Sequence, residues 1–301
     1  MLYFFQQVLN GVHSGALYAL LAFGYVLTNG VLKRTNLAYG AIFAFAGQMA
    51  ILIATFGWFV LFLDLPATIA FGVLGALAYA ALTGNVLSRS VLAPLAHHTP
   101  DAIVVTTLGI SIVLMELGRI AADTKDFWLP PLLATPVVFA ETERFRVTLT
   151  VIQLLNCAIV AALICGAGLV LTRSRYGRFW HAVSDDPAAA ELCGVDVGAV
   201  FRGAVIGGAM AAAATGILGA LYYGNISFGT GMVFGLKVLF LTAAGGYHSP
   251  LRAAAGALGF GLAESLWSGY FPLEWRDAWI LGLLAVMLVL RADVPADSPR
   301  R

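Results

Sequence analysis

The sequence predicts an all-α integral membrane protein, a polytopic bundle of about eight or nine transmembrane helices in one domain over residues 1–301. Of its 301 residues, 60% are hydrophobic and only 11% are charged, whereas charged residues make up about 25% of an ordinary soluble domain. A chain this apolar cannot hide its surface from water in a single core, so its solvent is lipid. The 33 glycines add small residues that allow membrane helices to approach one another closely.

The uncharged stretches of the chain set the limits of the spans, because a charge at the bilayer centre costs about 2.5–3.5 kcal/mol. Each stretch long enough to cross a hydrocarbon core of about 30 Å predicts one span. The stretch 203–236 is too long for one straight helix, and the polar, glycine-containing turn at 222–229 divides it into two. The predicted spans lie near 8–29, 36–57, 66–87, 102–119, 149–171, 203–221, 233–246, 252–270 and 276–291.

Two longer polar segments connect these spans, and their basic residues indicate the orientation of the chain. Lys and Arg concentrate in the short cytoplasmic connections of membrane proteins. Successive spans cross the membrane in alternating directions. If the segment 172–202 is cytoplasmic, most Lys and Arg residues of the connections also lie on the cytoplasmic side. The N-terminus is then outside, the C-terminus is cytoplasmic, and the segment 119–148 forms an extracytoplasmic, lid-like connection.

The cytoplasmic segment predicts a short helix. Asp185 or Asp186 can cap a helix that has Pro187 in its first turn, and Gly194 can end it. An isolated helix of about two turns is unstable in water. We therefore expect it to dock on something else.

Several separated patches of this sequence resemble one family of membrane proteins. The run Ala188-Ala189-Ala190, followed after three residues by Gly194, is similar to the cytoplasmic EAA loop of ABC importer permeases, with alanine where that loop often has glutamate. The surrounding segment, 176–196, resembles more specifically the permeases of high-affinity branched-chain amino-acid importers and their urea-importing relatives. Other similar patches are 7–11, 15–20, 107–112 and 243–250.

A further patch near the N-terminus carries the same resemblance with two departures. The run Asn36-Leu37-Ala38-Tyr39-Gly40 resembles the Asn-Phe-Ala-His-Gly signature of the family, but it has Tyr39 in place of the usual histidine. Ala41 stands where a glutamate is common. Both departures fall in a patch that is a candidate for contact with the solute.

The resemblance implies a permease subunit of an ABC importer in a bacterial-type cytoplasmic (inner) membrane, for branched-chain or similar small neutral amino acids. It implies three protein partners: a separate ATPase whose groove receives the short helix, a second permease chain, identical or homologous, and an extracytoplasmic solute-binding protein. The residues that it assigns to coupling with the ATPase are Gly177, Arg178, Asp185, Asp186, Ala188, Ala189, Ala190 and Gly194.

Four residues are candidates for the translocation path: Asn36, Tyr39, Gly40 and Glu264. Asn36 can be the N-cap of a helix whose free N–H groups would face a solute carboxylate, as broken helices do in transporters. Glu264 lies in an apolar stretch with no basic residue after it before Arg276. Such a carboxylate either makes a buried interhelical hydrogen bond or lies on the path.

Other functions find little support in the sequence. No Gly-x-x-x-x-Gly-Lys-Ser/Thr motif occurs, so we expect no enzymatic activity and no cofactor in this chain, with ATP used by the partner. A net charge of +1 argues against nucleic-acid binding. The adjacent His97 and His98 in a short loop are typical of solvated residues rather than a metal site. Two alternatives stay open: a permease for urea or a short amide, and a secondary carrier or channel that works without ATP.

Overall fold

The structure of the chain, a computed structural model, describes residues 2–95, 99–125, 127–142, 145–227, 229–246, 249–276, 278–279, 281–283 and 285–286. Within them, six helices are long and apolar enough to cross a membrane, and the helix that begins at Thr230 is a shorter apolar one. The predicted all-α membrane bundle is confirmed.

Eight of the nine predicted spans correspond to helices. They are α1 (Leu2–Leu32), α2 (Ala38–Phe59), α3 (Leu65–Val86), α5 (Pro100–Ala121), α6 (Val151–Arg173), α9 (Val197–Tyr223), α10 (Thr230–Gly245) and α11 (Pro250–Tyr270). A wider π-helical turn, Leu87–Leu92, and the short α4 (Ala93–Leu95) extend α3. The ninth predicted span, near 276–291, lies partly outside the described residues, and a single 3-10 turn, Leu273–Trp275, precedes it.

Within the described residues, the connection between α5 and α6 contains the one departure from a purely helical fold. Strands β1 (Pro136–Thr142) and β2 (Phe145–Thr150) pair antiparallel, with an irregularity between Val138 and Ala140. Alternating valine and threonine side chains favour extended backbone here. Gln6 of α1 holds the hairpin, because its amide both donates to the Thr148 carbonyl at 2.9 Å and accepts from the Thr148 N–H at 2.8 Å.

Helix α1 is the centre of the bundle and packs against α6, α9, α10 and α11. Glycines make its closest crossing possible. A Cβ on Gly15 would lie 2.6 Å from the carbonyl oxygen of Leu258, and Gly261 meets the backbone of Gly15 in the same way. Close backbone approach of this kind is how membrane helices gain dispersion energy in a lipid solvent. Helices α3, α5 and α6 are mostly exposed on the outside of the bundle.

The predicted break between α9 and α10 is confirmed, and it turns back into the bundle. Gly224 ends α9 with φ +77°, a left-handed conformation that glycine adopts without strain. Two residues later, Ile226 is buried, and its carbonyl accepts a hydrogen bond from the amide of Gln48 at 3.2 Å. The turn before α10 is therefore anchored to α2 through Gln48.

Candidate functional site

The segment predicted to be cytoplasmic forms two helices, α7 (Arg175–Asp185) and α8 (Pro187–Leu192). Helix α7 is anchored to the end of α1. The indole of Trp180 is fully buried, and its N–H donates to the carbonyl of Leu27 at 3.0 Å. Its ring packs so tightly on Gly30 that a Cβ there would lie 2.6 Å away. The ammonium group of Lys33 adds a hydrogen bond to the carbonyl of Asp185 at 3.0 Å.

Two further contacts tie α7 to α6 and α9. Gly177 lies directly over the carbonyl of Leu171, where any Cβ would collide with the backbone. The hydroxyl of Tyr176 donates to the carbonyl of Val200 at 3.4 Å, and burial raises the pKa of this tyrosine to about 12. The hydroxyl therefore stays protonated and able to donate at neutral pH. A displacement of α7 is thus transmitted to α1, α6 and α9 together.

Helix α8 forms where the sequence predicts a short helix. Of the two candidate caps, Asp186 is the N-cap, since its carboxylate accepts from the N–H groups of Ala188 at 2.9 Å and Ala189 at 3.2 Å. Gly194 follows the helix with φ +82°, a conformation typical of a helix C-terminus. Asp186 at its start and Gly194 after its end therefore bound a short, well-defined helix.

The outer face of α8 is apolar and uncovered in the chain alone. Ala188 and Ala189 are exposed, and Leu192 is 90% exposed, which is unusual for a leucine in a polar segment. Ala190 is buried against the rest of the chain. The predicted coupling residues therefore divide into an inner group, Gly177 and Ala190, and an exposed group, Arg178, Asp185, Asp186, Ala188, Ala189 and Gly194.

Three of the four candidate path residues lie in tight packing between helices. The N-cap of α2 is Leu37, so the expectation that Asn36 is the cap is off by one residue. The N–H of Leu37 donates to the hydroxyl of Thr107 at 3.2 Å, and that of Ala38 donates to the side chain of Asn36 at 3.1 Å. Both N–H groups therefore already have hydrogen-bond acceptors within the chain. Thr107 can reach Leu37 because α5 lies directly beside the start of α2.

Tyr39 and Gly40 face the interior of the bundle. The hydroxyl of Tyr39 donates to the carbonyl of Leu21 at 2.9 Å. Gly40 lies against the backbone of Gly231 and Gly235, where α2 and α10 cross. Close packing between helices accounts for both residues. That they contact the solute stays a prediction.

Glu264, the fourth candidate, belongs to a buried ion pair. Its Oε1 lies 3.2 Å from the ammonium nitrogen of Lys237, and both side chains are less than a tenth exposed. Nε of Arg276 lies 3.5 Å from the same oxygen. The sequence analysis missed Lys237, although a lone lysine inside an apolar stretch is itself a sign of a buried partner.

A cavity of about 460 Å³ opens beside this cluster, at the α9–α10 break. Its lining combines apolar side chains, mainly from α1, α2 and α10, with hydroxyl, amide and guanidinium groups. The lining residues are Ser14, Leu17, Tyr18, Leu21, Phe43, Trp128, Thr215, Gly219, Tyr223, Asn225, Ile226, Ser227, Thr230, Phe234 and Arg276. Its volume and mixed walls are those of a small-molecule site.

The described residues contain no group of three or more His, Cys, Asp or Glu side chains that could hold a metal ion. His97 and His98 lie outside the described residues.

Glu116 and Arg119 form an exposed ion pair near the end of α5, with 2.6 Å between Oε2 and Nη2.

Comparison with known proteins was made for the whole chain. The family model described as "Branched-chain amino acid transport system / permease component" matches residues 7–290. The high-affinity branched-chain amino acid transport system permease protein LivH of Escherichia coli (strain K12) is 28% identical over 297 residues, which cover 96% of this chain and 94% of LivH. The corresponding protein BraD of Pseudomonas aeruginosa is 28% identical over 290 residues, with the same shares covered.

A more distant likeness exists among solved structures. PsaBC from Streptococcus pneumoniae, in complex with Fab, superposes with a TM-score of 0.48 and 11% sequence identity, covering 95% of this chain and 90% of that chain.

Proposed function

Because the chain belongs to the family of branched-chain amino acid transport permease components, we propose that it carries branched-chain or similar small neutral amino acids into the cell across the bacterial cytoplasmic membrane. The chain is a permease subunit of an amino-acid ABC importer. Its energy comes from a separate ATPase subunit, and an extracytoplasmic solute-binding protein delivers the solute.

The observation that carries this proposal is the construction of α7 and α8. The outer face of α8 is apolar and exposed, as a surface that another protein covers must be before assembly. Behind it, Trp180 and Lys33 join α7 to α1. An exposed apolar surface on a segment that is firmly attached to the bundle suits a site on which the ATPase exerts force.

Helix α1 connects the α7–α8 segment to the cavity. Trp180 holds the carbonyl of Leu27 near one end of α1, and Ser14, Leu17 and Tyr18 line the cavity further along the same helix. When the ATPase dimer closes, α8 and α7 move together and shift α1 against α9 and α11. Such rocking of packed helices alternates access to a site between them.

The proposed orientation places the N-terminus outside and the C-terminus in the cytoplasm. Two contacts of α1 support it, since its first residues meet the hairpin at Thr148 and its end meets α7 at Asp185. A membrane-impermeant thiol reagent added to intact cells is expected to label an Ala134→Cys variant and not the native Cys193. Labelling of Cys193 alone would reverse the orientation.

Proteoliposomes that contain the permease, its ATPase and the binding protein test the coupling role. Deletion of residues 186–194 is expected to abolish ATP-driven leucine uptake and co-purification of the ATPase, while the chain still inserts. The point variant Leu192→Asp is expected to reduce both strongly, because a charge enters an apolar contact. Ala199→Asp adds the same charge to an exposed position outside α8 and should leave both intact. Uptake that persists after the deletion, or without any ATPase, would contradict the proposal.

A further inference from the structure

The ion cluster beside the cavity has an unsatisfied acceptor. Oε1 of Glu264 is paired with Lys237, whereas Oε2 is buried and accepts no hydrogen bond from any residue that the structure describes. The hydroxyl of Tyr18, which also lines the cavity, interacts with the same carboxyl, but no donor among the described residues meets hydrogen-bond geometry at Oε2. A buried carboxylate oxygen without a donor is costly and needs an explanation.

Arg276 stands between this carboxylate and the cavity. It lines the cavity, and its side chain is 36% exposed. Its Nε lies 3.5 Å from Oε1 of Glu264, clearly longer than the roughly 2.7–2.9 Å of a strong charged hydrogen bond. Arg276 therefore contacts Glu264 less closely than Lys237 does, at the same Oε1.

The cavity also has an apolar lining that suits an aliphatic group. Leu17, Phe43 and Phe234 line it, and the last two rings stack at 5.0 Å between centroids. The ammonium nitrogen of Lys237 lies 5.8 Å from the centre of the Phe234 ring, so the charged cluster is directly adjacent to the apolar wall. One small molecule can reach both.

We propose that this cavity is the intramembrane binding site for an aliphatic α-amino acid in its zwitterionic form. The solute inserts its charged end between Arg276 and Glu264. Its carboxylate accepts from the Arg276 guanidinium, its ammonium group donates to Oε2 of Glu264, and its side chain lies against Leu17, Phe43 and Phe234. Lys237 is a positioning residue that pairs with Oε1 of Glu264 and fixes its carboxyl group.

This inference rests on the proposed function, because it names the place where that importer holds its solute during transport. It also separates two solute classes that the sequence leaves open. Urea carries no charge and gains nothing from a split Arg276–Glu264 pair. A zwitterion replaces one loose ion pair with two charged hydrogen bonds.

Protection of a cavity cysteine tests the proposal. Ser227 lines the cavity and is exposed, so Ser227→Cys is made in a permease whose native Cys157, Cys165 and Cys193 are replaced by serine. The nucleotide-free complex with the ATPase is labelled with a small maleimide at increasing concentrations of L-leucine, of 4-methylpentanoate, which lacks the ammonium group, or of 3-methylbutylamine, which lacks the carboxylate. L-leucine is expected to protect at about tenfold lower concentration than either analogue, the effect of one charged hydrogen bond.

Two variants assign the contacts. Glu264→Gln is expected to raise the protecting concentration of leucine about tenfold, to that of 4-methylpentanoate, and Arg276→Gln to raise it to that of 3-methylbutylamine. Because Glu264→Gln removes the carboxylate that pairs with Lys237, the double variant Lys237→Gln/Glu264→Gln is measured as well and should give the same result. Ala134→Cys, exposed outside the cavity, should label at a rate that no ligand changes.

Equal protection by leucine and both analogues, or full protection by leucine in the double variant, would overturn the binding site. Protection by urea at the concentration where leucine protects would overturn the zwitterion assignment. ATP-driven uptake by the wild-type complex is recorded alongside. Its absence would refute the proposed function, whereas normal uptake without protection would refute only this inference.

Discussion

The α7–α8 segment and the Lys237–Glu264 ion pair are held in opposite ways. The segment is attached through hydrogen bonds to backbone carbonyls at its inner side, and its outer side is exposed. Both side chains of the ion pair are less than a tenth exposed, and Arg276 reaches the same carboxyl from the cavity. Separating the two charges of a buried pair costs much free energy, because water does not solvate them there. The α7–α8 segment, in contrast, can move as one body without breaking the contacts within it.

The difference suggests a division of work. A part that receives force should be exposed and attached to many helices, and α7 touches α1, α6 and α9. A part that recognises a charged solute should be dry, because electrostatic interactions are stronger there. The two regions meet through α1, which contacts α7 at one end and lines the cavity in its middle.

The largest expected effect comes from breaking the ion pair. Lys237→Met removes the closer of the two cations that Glu264 meets, and we expect the free energy of unfolding in mixed detergent micelles to fall by about 3–5 kcal/mol. The double variant Lys237→Met/Glu264→Met removes both charges and should recover most of that loss. A single variant as stable as the double variant would show that the pair is not buried.

A smaller effect is expected where α7 meets α6. Gly177→Ala places a Cβ against the Leu171 backbone, and overpacking of this kind costs about 1–3 kcal/mol. We expect ATP-driven uptake to fall more than binding of the ATPase does, because α8 itself is unchanged. Gly198→Ala is the matched control, since its Cβ would meet nothing closer than 3.4 Å. Equal uptake by the two variants would show that α7 is not fixed in this way.

The smallest effect is expected at the cap of α8. Asp186→Ala removes the acceptor for two N–H groups, a loss of about 1 kcal/mol in the stability of that helix. Half-saturation of ATPase binding should shift by a few-fold, and Asp186→Asn should restore it. Asp185→Ala tests the specificity of the effect, because Lys33 contacts only the backbone carbonyl of that residue. An equal shift for both alanine variants would argue against the cap.

The sequence predicts the parts of this molecule whose signals are local. Uncharged stretches predict the spans, Asp186 and Gly194 predict the ends of α8, and the Tyr-Gly-Asn turn predicts the break before α10. Each of these signals acts within a few residues of the chain.

The contacts that join the parts are not local, and the sequence does not reveal them. Lys237 meets Glu264 across 27 residues, and Trp180 meets Leu27 across 153. Such pairings depend on how helices are arranged around α1, which hydropathy does not determine. The hairpin was also missed, because strands this short are stabilised here by Gln6 of a distant helix.

The central claim is that movement of the α7–α8 segment changes the cavity. The most direct measurement is the maleimide labelling rate of Ser227→Cys in the reconstituted complex, with and without ATP and vanadate, which trap the ATPase dimer closed. We expect the rate to change several-fold on trapping when α8 is intact and to stay constant when residues 186–194 are deleted. A rate that changes equally in both, or in neither, would contradict the account.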